Sequence, residues 1–249
     1  VAWITLNRPK RLNAVIKPLY DELEQLLSEA EKATEIRVVV LTGSGDRAFC
    51  VGADMKEHAK GERSTAEKRL YLKAEQTVCE KIFHLSKPLI AAVNGYALGA
   101  GAEMAINCDF LLIADDAEIG FPEVGIGTFL GGGVTYLLPR LIGLAKAREL
   151  LYLGTRLKGA EAVRSGLACA SFPRQEFYRE VERFAQRLAA QGPISMTLLK
   201  EHLNSGADRD YTSTLLSELE GMTYCSSTAD WREGIAAFAE KRKPSFSGK

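Results

Sequence analysis

The chain of 249 residues reads as an α/β protein, a parallel-sheet core followed by a helical C-terminal region. Three observations predict this. Continuous apolar runs at residues 38–41, Leu89–Val93 and Phe110–Ala114 stop at the turn-forming pairs Thr42-Gly43, Asn94-Gly95 and Asp115-Asp116. Runs without in–out alternation suit strands covered on both faces, the situation of a parallel sheet. Helix-period segments separate the runs, so strand–helix–strand units with right-handed crossovers are expected. After about Pro139 the chain reads as helix after helix.

Taken in order, residues 1–6 form a short apolar strand that Asn7-Arg8-Pro9 closes with turn chemistry. From 18 to 33, Leu19, Leu23, Leu26, Leu27 and Ala30 recur at helical spacing. Further helices are predicted over 65–85 and 101–107. The later ones are 141–153, 159–166, 175–191, 194–204, 211–224 and 230–243, with Gly192-Pro193 as a break. No repeat or low-complexity linker divides the chain, so 1–190 is read as the core and 191–249 as a helical region packed on it or on a neighbouring subunit.

Lys+Arg and Asp+Glu both total 32, a formal net charge of zero. That disfavours nucleic acid, whose binding draws on a clustered positive excess. The 65–85 helix mixes Glu67, Glu75 and Glu80 with Lys68, Arg69, Lys73 and Lys81, so it offers no basic face either. No apolar run approaches the roughly 18–20 residues of a membrane span. The five cysteines are scattered, as expected of reduced thiols in a reducing compartment, the cytoplasm or a mitochondrial matrix. That the chain begins at Val1 leaves a trimmed leader open. Three histidines, His58, His84 and His202, lack ligand spacing, so no metal is expected.

Two glycine-rich stretches invite a nucleotide reading and fail its test. After Gly99-Ala100-Gly101 the third dinucleotide-fingerprint glycine would fall at Met104, and the 125–133 stretch has no Gly-Lys-Ser/Thr. What remains is a glycine-bounded turn, 95–99, that delivers the chain into a helix near Ala100. Free N–H groups there suit an anion, or a carbonyl oxygen becoming one. Glu103 stands on the same face one turn in, among residues that read as buried. Segment 47–56 is a second irregular stretch, whose Gly52 and Ala53 would let a backbone N–H approach a ligand. Alone it also reads as a plain loop entering a helix capped by Asp54.

Three ordered motifs in this sequence strongly resemble the enoyl-CoA hydratase/isomerase (crotonase) superfamily. They are Phe49-Cys50-Val51-Gly52-Ala53-Asp54-Met55-Lys56-Glu57, Asn94-Gly95-Tyr96-Ala97-Leu98-Gly99-Ala100-Gly101-Ala102-Glu103 and Phe121-Pro122-Glu123-Val124-Gly125. The likeness runs over nearly the whole chain and implies a crotonase-like spiral of ββα units with C-terminal helices that build trimers, often paired into hexamers. It implies an acyl-CoA thioester as substrate, with no cofactor beyond the coenzyme A that the substrate carries. By the same resemblance, the backbone N–H groups of Ala53 and Ala100 would hold the thioester oxygen. A donor of this kind is typically worth about 2.7–4 kcal/mol in the transition state. Glu103 and Glu123 match the two acids of hydratases, Glu103 activating water and Glu123 delivering a proton to Cα. Family isomerases commonly keep one acid, so the pair favours hydration, with Δ3–Δ2 isomerisation as the alternative. Dienoyl isomerases carry a third acid where this chain has Gly131, in the loop flanking the acyl pocket. Asp54, Met55 and Lys56 border the expected coenzyme A, Lys10 and Arg11 its adenine end, and Lys241 resembles a lysine that reaches a neighbour's coenzyme A phosphate. Leu130, where proline is frequent, and Arg11, where a small residue is common, depart from the pattern.

Overall fold

A computed structural model describes the chain apart from residues 60, 62–63 and 207. Its first strand, β1 (Ala2–Leu6), leads through a short 3-10 turn, Pro9–Arg11, into α1 (Lys17–Lys32). Three successive units then follow one plan. In each, a buried apolar strand is followed by a short second strand and then by helix. The first unit is β2 (Val39–Gly43), β3 (Ala48–Cys50), a single helical turn α2 (Met55–His58) and α3 (Thr65–His84). The second is β4 (Leu89–Val93), β5 (Tyr96–Leu98) and α4 (Ala100–Asn107). The third is β6 (Phe110–Ala114), β7 (Glu118–Gly120), a 3-10 turn Glu123–Ile126 and α5 (Val134–Ile142).

Because each unit repeats the same turn, its strands stack on their counterparts. The long strands make one five-stranded sheet in the order β1-β2-β4-β6-β9, where β9 is Ala170–Phe172, and every pairing in it is parallel. The short strands make a second sheet, β3-β5-β7-β8, with β8 (Arg156–Lys158) antiparallel at its edge. This is the predicted spiral of ββα units. All five residues of β2 and of β4 are buried, as an unalternating apolar pattern requires.

The second sheet departs from what periodicity alone predicts. Segments 47–56 and 95–99 contain strands β3 and β5, each three residues long, too short to show an alternating pattern. Their turns are pinned by buried asparagines. Asn94 Nδ2 donates to Gly43 O and Gly45 O at 2.9 and 2.8 Å, and Asn13 Nδ2 donates to Ser44 O and Ala48 O at 3.0 and 2.8 Å.

The predicted helix 141–153 is two helices, α5 and α6 (Leu144–Leu153), because Gly143 takes φ +78 between them. After α7 (Gly159–Arg164), α8 (Phe177–Ala189) buries Phe177, Val181 and Ala185 in the main core. Then burial falls away. Helix α9 (Pro193–Gly206) buries only Lys200 among its described residues, α10 (Tyr211–Ser226) buries none, and α11 (Ala229–Ala239) ends four residues short of the predicted 243. Leu203, Leu216, Met222, Trp231 and Phe238 stand exposed along these helices.

Candidate active site

The site forms where the ends of β3, β5 and β7 meet the start of α4. Val15 N–H donates to Gly52 O at 2.8 Å and Asp54 N–H to Val15 O at 3.0 Å, so the segment after β3 is held like one rung of a parallel ladder. These bonds use the groups flanking Ala53 and leave the Ala53 N–H facing the other side. Gly52 takes φ +86, and a Cβ on it would stand 2.9 Å from Leu98 O and 3.3 Å from Ala100 N. The backbone bearing Ala53 therefore packs directly on the backbone bearing Ala100. As the first residue of α4, Ala100 has an amide with no carbonyl inside the helix to receive it. Among the described residues neither amide donates to a backbone carbonyl. Two adjacent free donors at the positive end of a helix fit a developing oxyanion.

The carboxyls come from two directions. Glu103, in the first turn of α4, is 2% exposed, and its Oε2 accepts from Gly131 N–H at 3.1 Å and from Gly132 N–H. Glu123, first residue of the 3-10 turn after β7, is 6% exposed with Oε2 buried and unpartnered. Its Oε1 lies against Gly99: a Cβ there would be 3.0 Å away, and Gly99 sits at φ +53. Glu123 thus stands one residue from the Ala100 amide. Burial raises its pKa, against the pull of its own amide and of a hydrogen bond from Glu103.

A third carboxyl belongs to this group. Glu75 of α3, one of the mixed charges along the 65–85 helix, is only 6% exposed. A Cβ on Gly131 would stand 3.4–3.6 Å from the Glu75 carboxyl atoms. Burial and then the charge of Glu123 push Glu75 up to about 7, with the Tyr20 hydroxyl pulling the other way. For Glu103, burial and then the Glu75 charge outweigh the Gly132 and Gly131 amides and carry it to about 8. Three carboxyls in one buried space cannot all ionise at neutral pH. Among the described residues, no Lys or Arg forms an ion pair with any of them.

Asp54 does not face this space as a free acid. It caps α2, accepting from Glu57 N–H at 3.4 Å, and pairs with Arg8 at 3.1 Å. Burial alone would raise its pKa, but the Arg8 hydrogen bond, the Glu57 amide and the charges of Arg8 and Arg11 together lower it. Its place is under Ala53, where it fixes the loop. Lys10 and Arg11 are exposed on the 3-10 turn, and Met55 and Lys56 are exposed on α2. Gly131 contributes its amide to Glu103. Lys241 follows α11 at φ +56, and α11 packs chiefly on α10, away from the elements that bring Glu103 and Glu123 together.

Known proteins resemble this chain over its whole length. The whole chain, residues 1–249, matches the family described as enoyl-CoA hydratase/isomerase. It is 37% identical over 243 residues to a short-chain-enoyl-CoA hydratase of Clostridium acetobutylicum, covering 98% of this chain and 92% of that one. A crotonyl-CoA hydratase of Syntrophomonas wolfei is 36% identical over 249 residues, covering 100% of this chain and 95% of its own. A crystal structure of an enoyl-CoA hydratase from Bacillus anthracis superposes with a TM-score of 0.96 at 36% identity, over 99% of this chain and 95% of that one. Fold, motifs and full-length similarity agree, and the chain belongs to the enoyl-CoA hydratase/isomerase family of the crotonase superfamily.

Proposed function

We propose that this protein is an enoyl-CoA hydratase, adding water reversibly across a trans-2-enoyl thioester to give a 3-hydroxyacyl-CoA. The observation that carries this is the pair of buried carboxyls, Glu103 and Glu123, beside two unpaired amides. In the addition, the thioester oxygen accepts from the Ala53 and Ala100 N–H groups, which draws electrons from the double bond and leaves Cβ electrophilic. Glu103, held by the Gly131 and Gly132 amides, takes a proton from water as its hydroxyl bonds to Cβ. The electron pair passes to the enolate oxygen, and Cα then takes a proton from Glu123. One water is consumed, and a proton returned from Glu103 to Glu123 restores the site. Above the pH at which Glu103 gives up its proton it serves as the base, while a proton kept on Glu123 serves as the acid.

Asp54, Met55, Lys56, Lys10 and Arg11 line the route along which the coenzyme A portion would lie, with the exposed lysines and Arg11 meeting its phosphates. The uncovered apolar faces of α9 to α11 suit a homotrimer, singly or paired into a hexamer, in which Lys241 would reach a neighbour's ligand. The test is crotonyl-CoA with the purified protein, following loss of the conjugated absorbance. Wild type is expected to turn over, and Glu103→Ala and Glu123→Ala each to abolish turnover. Full activity in both variants refutes the assignment, and light scattering decides the assembly.

A further inference from the structure

Glu75 has no role in the mechanism above, yet it is a buried acid packed into the same space. The Glu75 carboxyl lies beside Gly131, near enough that a Cβ there would stand 3.4–3.6 Å from it, the Gly131 N–H donates to Glu103 Oε2 at 3.1 Å, and Glu103 acts on Glu123. The three acids therefore form a continuous row, from α3 through the glycine loop and α4 to the turn after β7. The groups that face Glu75 are known from each neighbouring element. Tyr20 comes from α1, its hydroxyl fully buried and acting on Glu75, whose pKa it lowers. Tyr71 and Cys79 come from α3 itself, Cys50 from β3, Glu103 from α4 and Glu123 from the 3-10 turn. Burial drives all three of the tyrosine and cysteine groups Tyr20, Cys50 and Cys79 upward, so they stay neutral, and Arg8, the one cation acting on Cys50, is committed to Asp54.

We propose that Glu75 is a positioning residue for proton transfer: the third carboxyl of the row, it sets how readily Glu103 gives up its proton and thereby the pH at which the site works. This rests on the hydratase reading for its catalytic consequence, but not for its electrostatic content. Glu75 need not touch substrate. Once ionised, it opposes the ionisation of Glu103 across Gly131, because both carboxyls are buried and none of the ion pairs among the described residues involves either of them.

The experiment compares wild type, Glu75→Gln and Glu103→Gln, full-length and folded by circular dichroism, with Glu75→Met as a second replacement should the glutamine variant not fold. Carboxyl carbons of ¹³C-labelled glutamate are titrated by NMR without ligand, and the midpoint lost in Glu103→Gln is assigned to Glu103. In Glu75→Gln or Glu75→Met that midpoint is expected to fall by on the order of one pH unit. The limb of the kcat/KM pH profile that tracks it should move to lower pH by the same amount, with KM for crotonyl-CoA little changed. A Glu103 midpoint that stays put in a folded variant overturns the proposal. Should crotonyl-CoA not be turned over at all, the hydratase assignment fails, while the NMR titration still decides the role of Glu75.

Discussion

Replacing Gly132 with alanine adds one methyl group directly against the Glu103 carboxyl. Built on the present backbone, that Cβ would stand 2.7 Å from Glu103 Oε2, 2.7 Å from Cys79 Sγ and 3.0 Å from Glu103 Cβ. Neither neighbour can step aside into solvent, since Cys79 is 3% and Glu103 2% exposed. Overpacking of this kind costs about 1–3 kcal/mol. For a chain of this size that lowers Tm by roughly 2–12 °C. The carboxylate must also move off the Gly131 and Gly132 amides. One charge-assisted hydrogen bond of about 1.5–3 kcal/mol corresponds to a kcat loss of roughly tenfold to 150-fold. Differential scanning fluorimetry and crotonyl-CoA turnover measure the two effects separately. Gly131→Ala is the control, because its Cβ would meet nothing closer than 3.4 Å and should leave both readouts near wild type. A Gly132→Ala protein matching wild type in Tm and kcat, or a Gly131→Ala protein that is the worse of the two, refutes the account of how Glu103 is held.

Two further outcomes concern stability. Lys200 donates to Asp109 at 2.8 Å from a nearly buried position, so Lys200→Ala leaves a shielded carboxylate without its cation and should cost about 3–5 kcal/mol in urea unfolding, with Lys200→Met costing less. Glu75 and Glu103 rise from an ordinary 4.5 to about 7 and about 8, so between those limits the folded chain binds more protons than the unfolded one. Stability should therefore fall as pH climbs from about 4.5 to about 8, read as urea midpoints across that range, and Glu75→Gln should flatten the slope.

How much of this was legible in the sequence varies by element. The long strands were plain, since 38–41, Leu89–Val93 and Phe110–Ala114 each bury both faces and show it as an unbroken apolar run. The second sheet was invisible to periodicity. Three-residue strands such as Ala48–Cys50 hold no period, and only the likeness to a family of ββα units implied them. At the site, Glu103 announced itself by its apolar neighbours, and Glu123 came through the resemblance alone. Glu75 gave the opposite signal. It sits in a helix rich in charges, and only its position on the face shared with Tyr71, Val78, Cys79 and Ile82 marks it as inward. A test of that face at helical spacing would have found it. Asn13 and Asn94 were missed because an asparagine in a turn looks the same whether it is solvated or pins two carbonyls.

The oxyanion donors we propose, the Ala53 and Ala100 N–H groups, belong to the main chain, and this shapes how variation can reach them. No substitution at position 53 or 100, short of proline, deletes an N–H, so a side chain there acts on packing, which is tight at the buried Ala100, and not on the donor itself. Vulnerability passes to residues that have no chemistry of their own. Gly52 and Gly99, both at positive φ and both hemmed by Ala100 N or Glu123 Oε1, set where the amides stand. A screen that ranks positions by functional groups would pass over both glycines. A saturation library should instead show its deepest losses there, with the half-buried Ala53 beside them comparatively permissive.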